Sequence, residues 1–172
     1  KHVDLPFVVS DAGRRYVREV YDGVNIVRVP RLLHLASTPI SPHLYCELAG
    51  SRPDIVHVHL PNPMAEAAYL LARPGCKLVA AYHSDIIKQH RIYRFYRPVN
   101  ERFLSKCDRI VAGAPQNITH SPVLSRYAGR TTVIPYGIEP GDFELTDARR
   151  KHVAELRERF GDRVVFFIGR HV

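Results

Sequence analysis

The sequence predicts an α/β fold: a Rossmann-like parallel sheet with helices on both faces, the N-terminal half of a larger two-domain architecture and incomplete as it stands. Three observations carry this. Short Val/Ile-rich runs alternate with longer segments of helical character from one end of the chain to the other, as in repeated βα units. Several of those runs are nearly continuously apolar, as strands covered on both faces are. Three of the runs are followed at once by polar or Gly/Pro-bearing segments, which is where a sheet of this type presents its ligand-binding groups.

In chain order, strands are expected at 6–9, 25–29, 54–59, 77–82, 109–112 and 131–134, and helices at 42–49, 63–72, 87–105 and 115–127. Pro63 suits a first helical turn and Asn62 its N-cap. Pro98 is expected to kink or split the third helix at Arg97, because it lacks the N–H the helix needs. A charged helix over 146–160 has Thr146 or Asp147 as cap and Gly161 just past its end. A further buried strand, Val164–Ile168, precedes Gly169-Arg170. The organisation expected is therefore one domain over residues 1–162, lacking its first strand, and the start of a second over 163–172.

Bulk properties narrow the class. A chain of 172 residues with 45% hydrophobic and 24% charged residues is an ordinary globular composition. No run approaches the ~20 apolar residues of a membrane span. The opening residues lack an apolar signal-peptide core, and without an initiator Met the chain is expected to be a fragment. Cys46, Cys76 and Cys107 are odd in number and widely spaced, which points away from a disulfide framework and toward a reducing, cytoplasmic setting. The net charge of +8 favours anionic partners. No GxGxxG, GxxxxGK[ST] or GxSxG occurs, so no dinucleotide site, P-loop or nucleophile elbow is indicated.

The strand ends hold the candidate site. Leu60-Pro61-Asn62-Pro63 follows the third strand, His83-Ser84-Asp85 the fourth, and Pro135-Tyr136-Gly137-Ile138-Glu139 the sixth. Together they suit a crevice for a polyhydroxylated ligand, although Asn62, Ser84 and Asp85 would also serve as plain helix caps. His57 and His59 share one face of a strand, and with His83 they are a conceivable metal set; no acidic ligand with suitable spacing completes it. Residues 88–109 hold seven Lys/Arg against two acids. Lys88, Arg91, Arg94, Arg102 and Lys106 fall on one helical arc beside the apolar Ile92, Tyr96, Val99 and Phe103. That arc suits an anionic lipid surface, a phosphate-bearing acceptor, or plain solvent.

Taken in order, Arg52-Pro53-Asp54-Ile55-Val56-His57-Val58-His59 with Pro61-Asn62-Pro63, Tyr82-His83-Ser84-Asp85, Asp108–Ala112, Val133–Glu139 and Phe167-Ile168-Gly169-Arg170 resemble the retaining GT-B glycosyltransferases of family four. The likeness is to bacterial members that assemble surface polysaccharides and lipid-linked glycans. It covers nearly the whole chain and implies two Rossmann-like domains facing across a cleft, the acceptor in the N-terminal one and most of the nucleotide sugar in the other. It implies that His83 is the catalytic residue beside the donor sugar and that Arg170, with Gly169 and Gly137, serves the donor. Asn62, Ser84, Asp85, Lys88 and Arg91 are the acceptor-side candidates. The implied reaction is hexosyl transfer with retention, the leaving diphosphate taking the acceptor proton. No metal or cofactor enters such a scheme, and nucleic acid is not a partner.

The family's glycine-rich loop near the N-terminus is absent here. The lysine after Gly-Arg and the paired glutamates of the second domain fall beyond Val172, so the fragment is expected to be inactive alone. The expected setting is cytoplasmic, peripheral at the inner face of the plasma membrane. Two competing readings are a metal-dependent hydrolase using His57, His59 and His83, and a non-catalytic sugar- or phosphate-binding module.

Overall fold

The structure is a computed structural model that describes residues 6–11, 13, 15–35, 38–86 and 90–167. The chain separates into two compact units, Lys1–Pro135 and Tyr136–Val172.

The first unit opens with a small mixed sheet of β1 (Phe7–Asp11), β2 (Val17–Tyr21) and β3 (Val24–Pro30), in the order β1-β3-β2. β1 runs parallel to β3 and β2 antiparallel to it. β2 is absent from the sequence expectation, since Val17-Arg18-Glu19-Val20-Tyr21 interleaves charge with apolar residues on an exposed edge. Its turn was nevertheless written in the sequence: Asp22 and Gly23 both take positive φ, 49° and 75°, which a tight two-residue hairpin requires. A short antiparallel pair, β4 (Leu33–Leu35) and β5 (Thr38–Ile40), and helix α1 (His43–Gly50) follow.

The main sheet is β6 (Ile55–Leu60), β7 (Lys77–Tyr82), β8 (Arg109–Ala112) and β9 (Thr131–Val133), all parallel and in chain order. Helices α2 (Pro63–Ala72) and α3 (His90–Lys106) supply the crossovers. The expected parallel α/β sheet flanked by helices is therefore present. Of the two interior strands, β7 ends in three consecutive buried residues, so both its faces are covered there; β6 alternates exposed and buried because it is an edge strand. One face of the sheet, with Val58, Leu60, Leu78, Ala80, Tyr82, Ile110 and Ala112, packs on Phe103 and Leu104 of α3, on Cys107 just after it, and on Tyr69 and Leu70 of α2. Tyr69 meets Phe103 edge to face, centroids 5.7 Å apart. Each such large apolar side chain contributes about 1.5–3 kcal/mol when buried. Burial also pushes the Cys107 thiol up to about 12, so it behaves as a small apolar group.

Several boundaries differ from expectation. The helix expected over 115–127 breaks at Ser121 into α4 (Pro115–His120) and a 3-10 turn, Leu124–Arg130, because Pro122 disfavours helical backbone in the residue before it. Pro98 does not split α3, which is helical on both sides of it; tertiary packing through Phe103 and Leu104 outweighs the lost hydrogen bond. The last main-sheet strand stops at Val133, with the Ile134 N–H still bonded to the Ala112 carbonyl at 2.9 Å.

In the second unit, α5 (Asp147–Phe160) is capped by the Thr146 hydroxyl, which accepts from the Arg149 N–H. Gly161 follows at φ 80° and closes the C-terminus. The strand expected over 164–168 is not formed among the described residues. Val164–Phe167 is irregular and exposed, with no partner strand to satisfy its backbone.

Candidate functional site

The carboxyl ends of the neighbouring strands β6 and β7 bring together the groups singled out in the sequence. After Leu60, Asn62 turns the chain into α2: its side-chain oxygen accepts the Ala65 N–H at 3.1 Å, satisfying a free donor of the first turn. The Asn62 N–H donates to the carboxyl of Glu66 at 3.3 Å, and Asn100 Nδ2 of α3 donates to the other Glu66 oxygen at 2.9 Å. Glu66 is fully buried. Burial raises its carboxyl above the ordinary range, against the opposing pull of its hydrogen-bonding neighbours. The buried Tyr96 hydroxyl lies beside this carboxyl without hydrogen-bond geometry to it.

His83 directly follows β7, and its N–H donates to the Leu60 carbonyl at 3.2 Å, carrying the ladder one residue past the strand. In register, His57 lies opposite Val79 and His59 opposite Ala81. Side chains alternate along a strand, so His57, His59, Val79, Ala81 and His83 share one face. The rings meet there. His59 Nδ1 lies 2.8 Å from His83 Nε2, with planes 16° apart, and the His57 centroid is 4.9 Å from that of His59. Partial burial lowers the His83 ring below the usual histidine value, with His59 adding to it. His57 is lowered in the same way, first by burial and then by the two other rings. Both are therefore neutral imidazoles at pH 7, able to donate at one nitrogen and accept at the other.

The loop after His83 is clasped from beneath. The Tyr82 hydroxyl donates to Asp85 Oδ1 at 2.5 Å, and the Ser121 hydroxyl donates to the same oxygen at 2.7 Å while accepting the Leu124 N–H at 2.9 Å. Burial, then the Asp85 bond, pushes the Tyr82 hydroxyl up, so it stays a donor. Asp85 thus ties the loop after β7 to the segment after β8, and Ser84 beside it is exposed.

Of the acceptor-side candidates, Asn62, Ser84 and Asp85 lie at this edge with His83. Lys88 lies outside the described residues, as does the side chain of Arg91; so do the donor-side candidates Gly169 and Arg170. Gly137 belongs to the second unit. The three histidines form a row rather than a convergent set: among the described residues no three of His, Cys, Asp and Glu are placed to hold a metal ion. The hydrolase reading therefore has no metal site in this part of the chain.

Sequence reasoning missed Glu66 and Ser121, whose contacts with Asn100 and Asp85 cross 34 and 36 residues, and Tyr82, whose partner Asp85 lies three residues on. It also missed Phe95, 84% exposed on α3 and, at helical spacing, in the middle of the basic arc with Arg94 and Arg102; plotting the apolar residues as well as the charges would have found it. A surface depression of about 370 Å³ lies at the opposite end of the strands, between Pro53, Asp54, Gly75, Cys76, Lys77 and Asp108. It takes no part in this site.

Comparison with known proteins places the chain. The model of Glycosyltransferase Family 4 matches residues 2–142. The chain belongs to glycosyltransferase family 4. Within that family it is 37% identical over 151 residues to the O-antigen chain mannosyltransferase C of Escherichia coli, covering 87% of this chain and 40% of the relative. It is 35% identical over 150 residues to the D-rhamnosyltransferase WbpZ of Pseudomonas aeruginosa, covering 86% of this chain and 39% of the relative. The chain thus spans about two-fifths of the length of the curated relatives it matches.

Proposed function

We propose that this chain is the acceptor-side part of a retaining glycosyltransferase that moves a hexosyl unit from a nucleotide sugar to a glycan or lipid-diphosphate-linked acceptor. Residues 1–162 form the acceptor-side domain in this reading, and residues 163–172 begin a donor-binding domain, without which the chain alone is inactive. Family membership supports the transfer itself. The names of the two relatives support a mannosyl or D-rhamnosyl unit as the group moved, and an O-antigen type of glycan as the product.

The observation that carries the reading is His83, a neutral imidazole set at the end of the interior strand beside Asn62, with its backbone pinned to β6. A neutral imidazole there suits a hydrogen bond to a sugar hydroxyl rather than proton abstraction by a charged group. The bond to the sugar breaks and the new bond forms on one face, and the departing diphosphate takes the acceptor proton. The protein's part is orientation and stabilisation of the leaving charge. Arg170 suits that charge as a fixed cation with forked donors, Gly137 and Gly169 leave space for the donor, and Asn62, Ser84, Asp85, Lys88 and Arg91 line the acceptor side. No metal or other cofactor enters this scheme.

The test is His83→Ala in the complete enzyme, with nucleotide-sugar turnover as the readout. Turnover is expected to fall about 100-fold with the melting temperature unchanged. Unchanged turnover, or a variant that fails to fold, would return His83 to a structural role.

The basic arc of α3 supports a peripheral site of work at the cytoplasmic face of the plasma membrane. Arg94 and Arg102 are exposed, with Phe95 between them on the same arc. An apolar anchor ringed by cations is the composition of an interfacial helix. No helix among the described residues is long and apolar enough to cross a membrane.

A further inference from the structure

We propose that His59 is a positioning residue for His83: the contact between His59 Nδ1 and His83 Nε2 fixes the orientation of the His83 ring and couples its tautomer to that of His59. The proposal rests on the reading of His83 above, and its geometry stands apart from that reading.

The register explains how the contact arises. His59 lies opposite Ala81 on β7, and Ala81 offers only a methyl group, 7% exposed. The imidazole of an edge-strand residue can therefore lie across that position and reach the next side chain on the same face, His83. A larger residue at 81 would hold the two rings apart. The rings lie nearly parallel with 2.8 Å between nitrogens, which is hydrogen-bond distance for one shared proton.

A single proton between two imidazoles has a consequence for both. Whichever nitrogen donates, the other must accept, so the tautomers are complementary and the state of His83 Nδ1 follows from the state of its Nε2. That coupling decides which ring nitrogen of His83 donates and which accepts. A ring free to flip and exchange tautomers would present the right atom for only part of the time. His57, on the outer side of His59 at 4.9 Å between centroids, limits where the His59 ring can move.

The experiment compares His59→Leu, which fills similar space without a hydrogen bond, with His59→Asn, whose side-chain amide occupies the place of Nδ1. Both are surface changes on an exposed strand position. In the full chain, two-bond proton–nitrogen NMR correlations of the imidazoles report the His83 tautomer directly. The His83 pattern is expected to change in His59→Leu and to stay close to that of the wild type in His59→Asn. In the complete enzyme, His59→Leu is expected to lower kcat about 10–100-fold with KM for the nucleotide sugar unchanged, and His59→Asn to recover most of that loss.

A His83 pattern unchanged by His59→Leu overturns the proposal. A KM effect without a kcat effect does the same. If His83→Ala retains full turnover, the role of His83 falls instead. If His83→Ala is inactive while His59→Leu is normal in both readouts, only the positioning role falls.

Discussion

Removing the carboxyl of Glu66 should unfasten the α2–α3 seam beneath the site. In Glu66→Ala two donors lose their acceptor, the Asn100 amide at 2.9 Å and the Asn62 N–H at 3.3 Å. An orphaned buried donor costs about 1–3 kcal/mol. Asn100 is buried and belongs at the upper end, whereas the longer, half-buried Asn62 bond belongs at the lower, so the loss is about 4 kcal/mol. For a chain of this size that lowers Tm by about 8–16 °C. Glu66→Gln keeps the volume and one acceptor oxygen, and should lose about 1 kcal/mol.

The two proteins also differ in pH dependence. Burial raises the Glu66 carboxyl above its ordinary 4.5 in the folded state, so the folded protein holds this proton longer than the unfolded chain. Its favourable contribution is complete below about pH 4.5 and declines as pH rises through the folded value. Gln does not titrate. Urea denaturation followed by circular dichroism should show the wild-type advantage over Glu66→Gln largest in acid and shrinking toward neutrality. A gap constant across that range, or an Ala variant as stable as the Gln variant, refutes the reasoning.

At the opposite edge the sign reverses. The Asp108 carboxylate is held below its usual range by the Lys77 ammonium at 2.8 Å and by the Leu78 N–H at 2.9 Å. Its contribution is therefore full above the unfolded value and is lost as pH falls through the folded one. Asp108→Asn should be less stable than wild type at neutral pH and equal to it in strong acid, and a gap that persists at about pH 2 sinks the argument. On the membrane side, the complete enzyme should bind anionic but not zwitterionic vesicles. Each cation near the surface adds about 1 kcal/mol, so replacing Arg91, Arg94 and Arg102 with Glu, or adding salt, should weaken binding. Phe95→Ser should weaken it at every salt concentration, because burial of an aromatic ring is not screened; equal binding to both vesicle types would leave the arc as a solvated surface.

The main sheet was legible because its strands are short Val/Ile runs separated by helices: β7, β8 and α2 begin and end where the residue pattern says. β2 was not, since an exposed edge strand needs no apolar face and Val17–Tyr21 shows no clean period. The break at Ser121 was legible in principle from Pro122. Within the site, His83 and Asn62 were found from their position after strands, a local property. Asp85 was found for the same reason, yet its bond to Ser121 spans 36 residues and no local pattern encodes it. The His59–His83 contact lay between: the His-x-His spacing put two rings on one face, while the register against Ala81, which no spacing reveals, decided that His59 meets His83.

Two anchors bracket His83 closely along the chain. Its own N–H is bonded to Leu60, and two residues later Asp85 is held by Tyr82 and Ser121. Only Ser84 lies between, so the segment has almost no slack. Lengthening it by a single residue forces a choice: either the backbone bond of His83 opens or the Asp85 clasp does. This stretch should therefore tolerate exchange of its exposed side chain at Ser84 but not a change in residue count. Natural or engineered length variation in this half of the molecule is better accommodated in exposed turns such as Asp22-Gly23, whose extension moves nothing that His83 depends on.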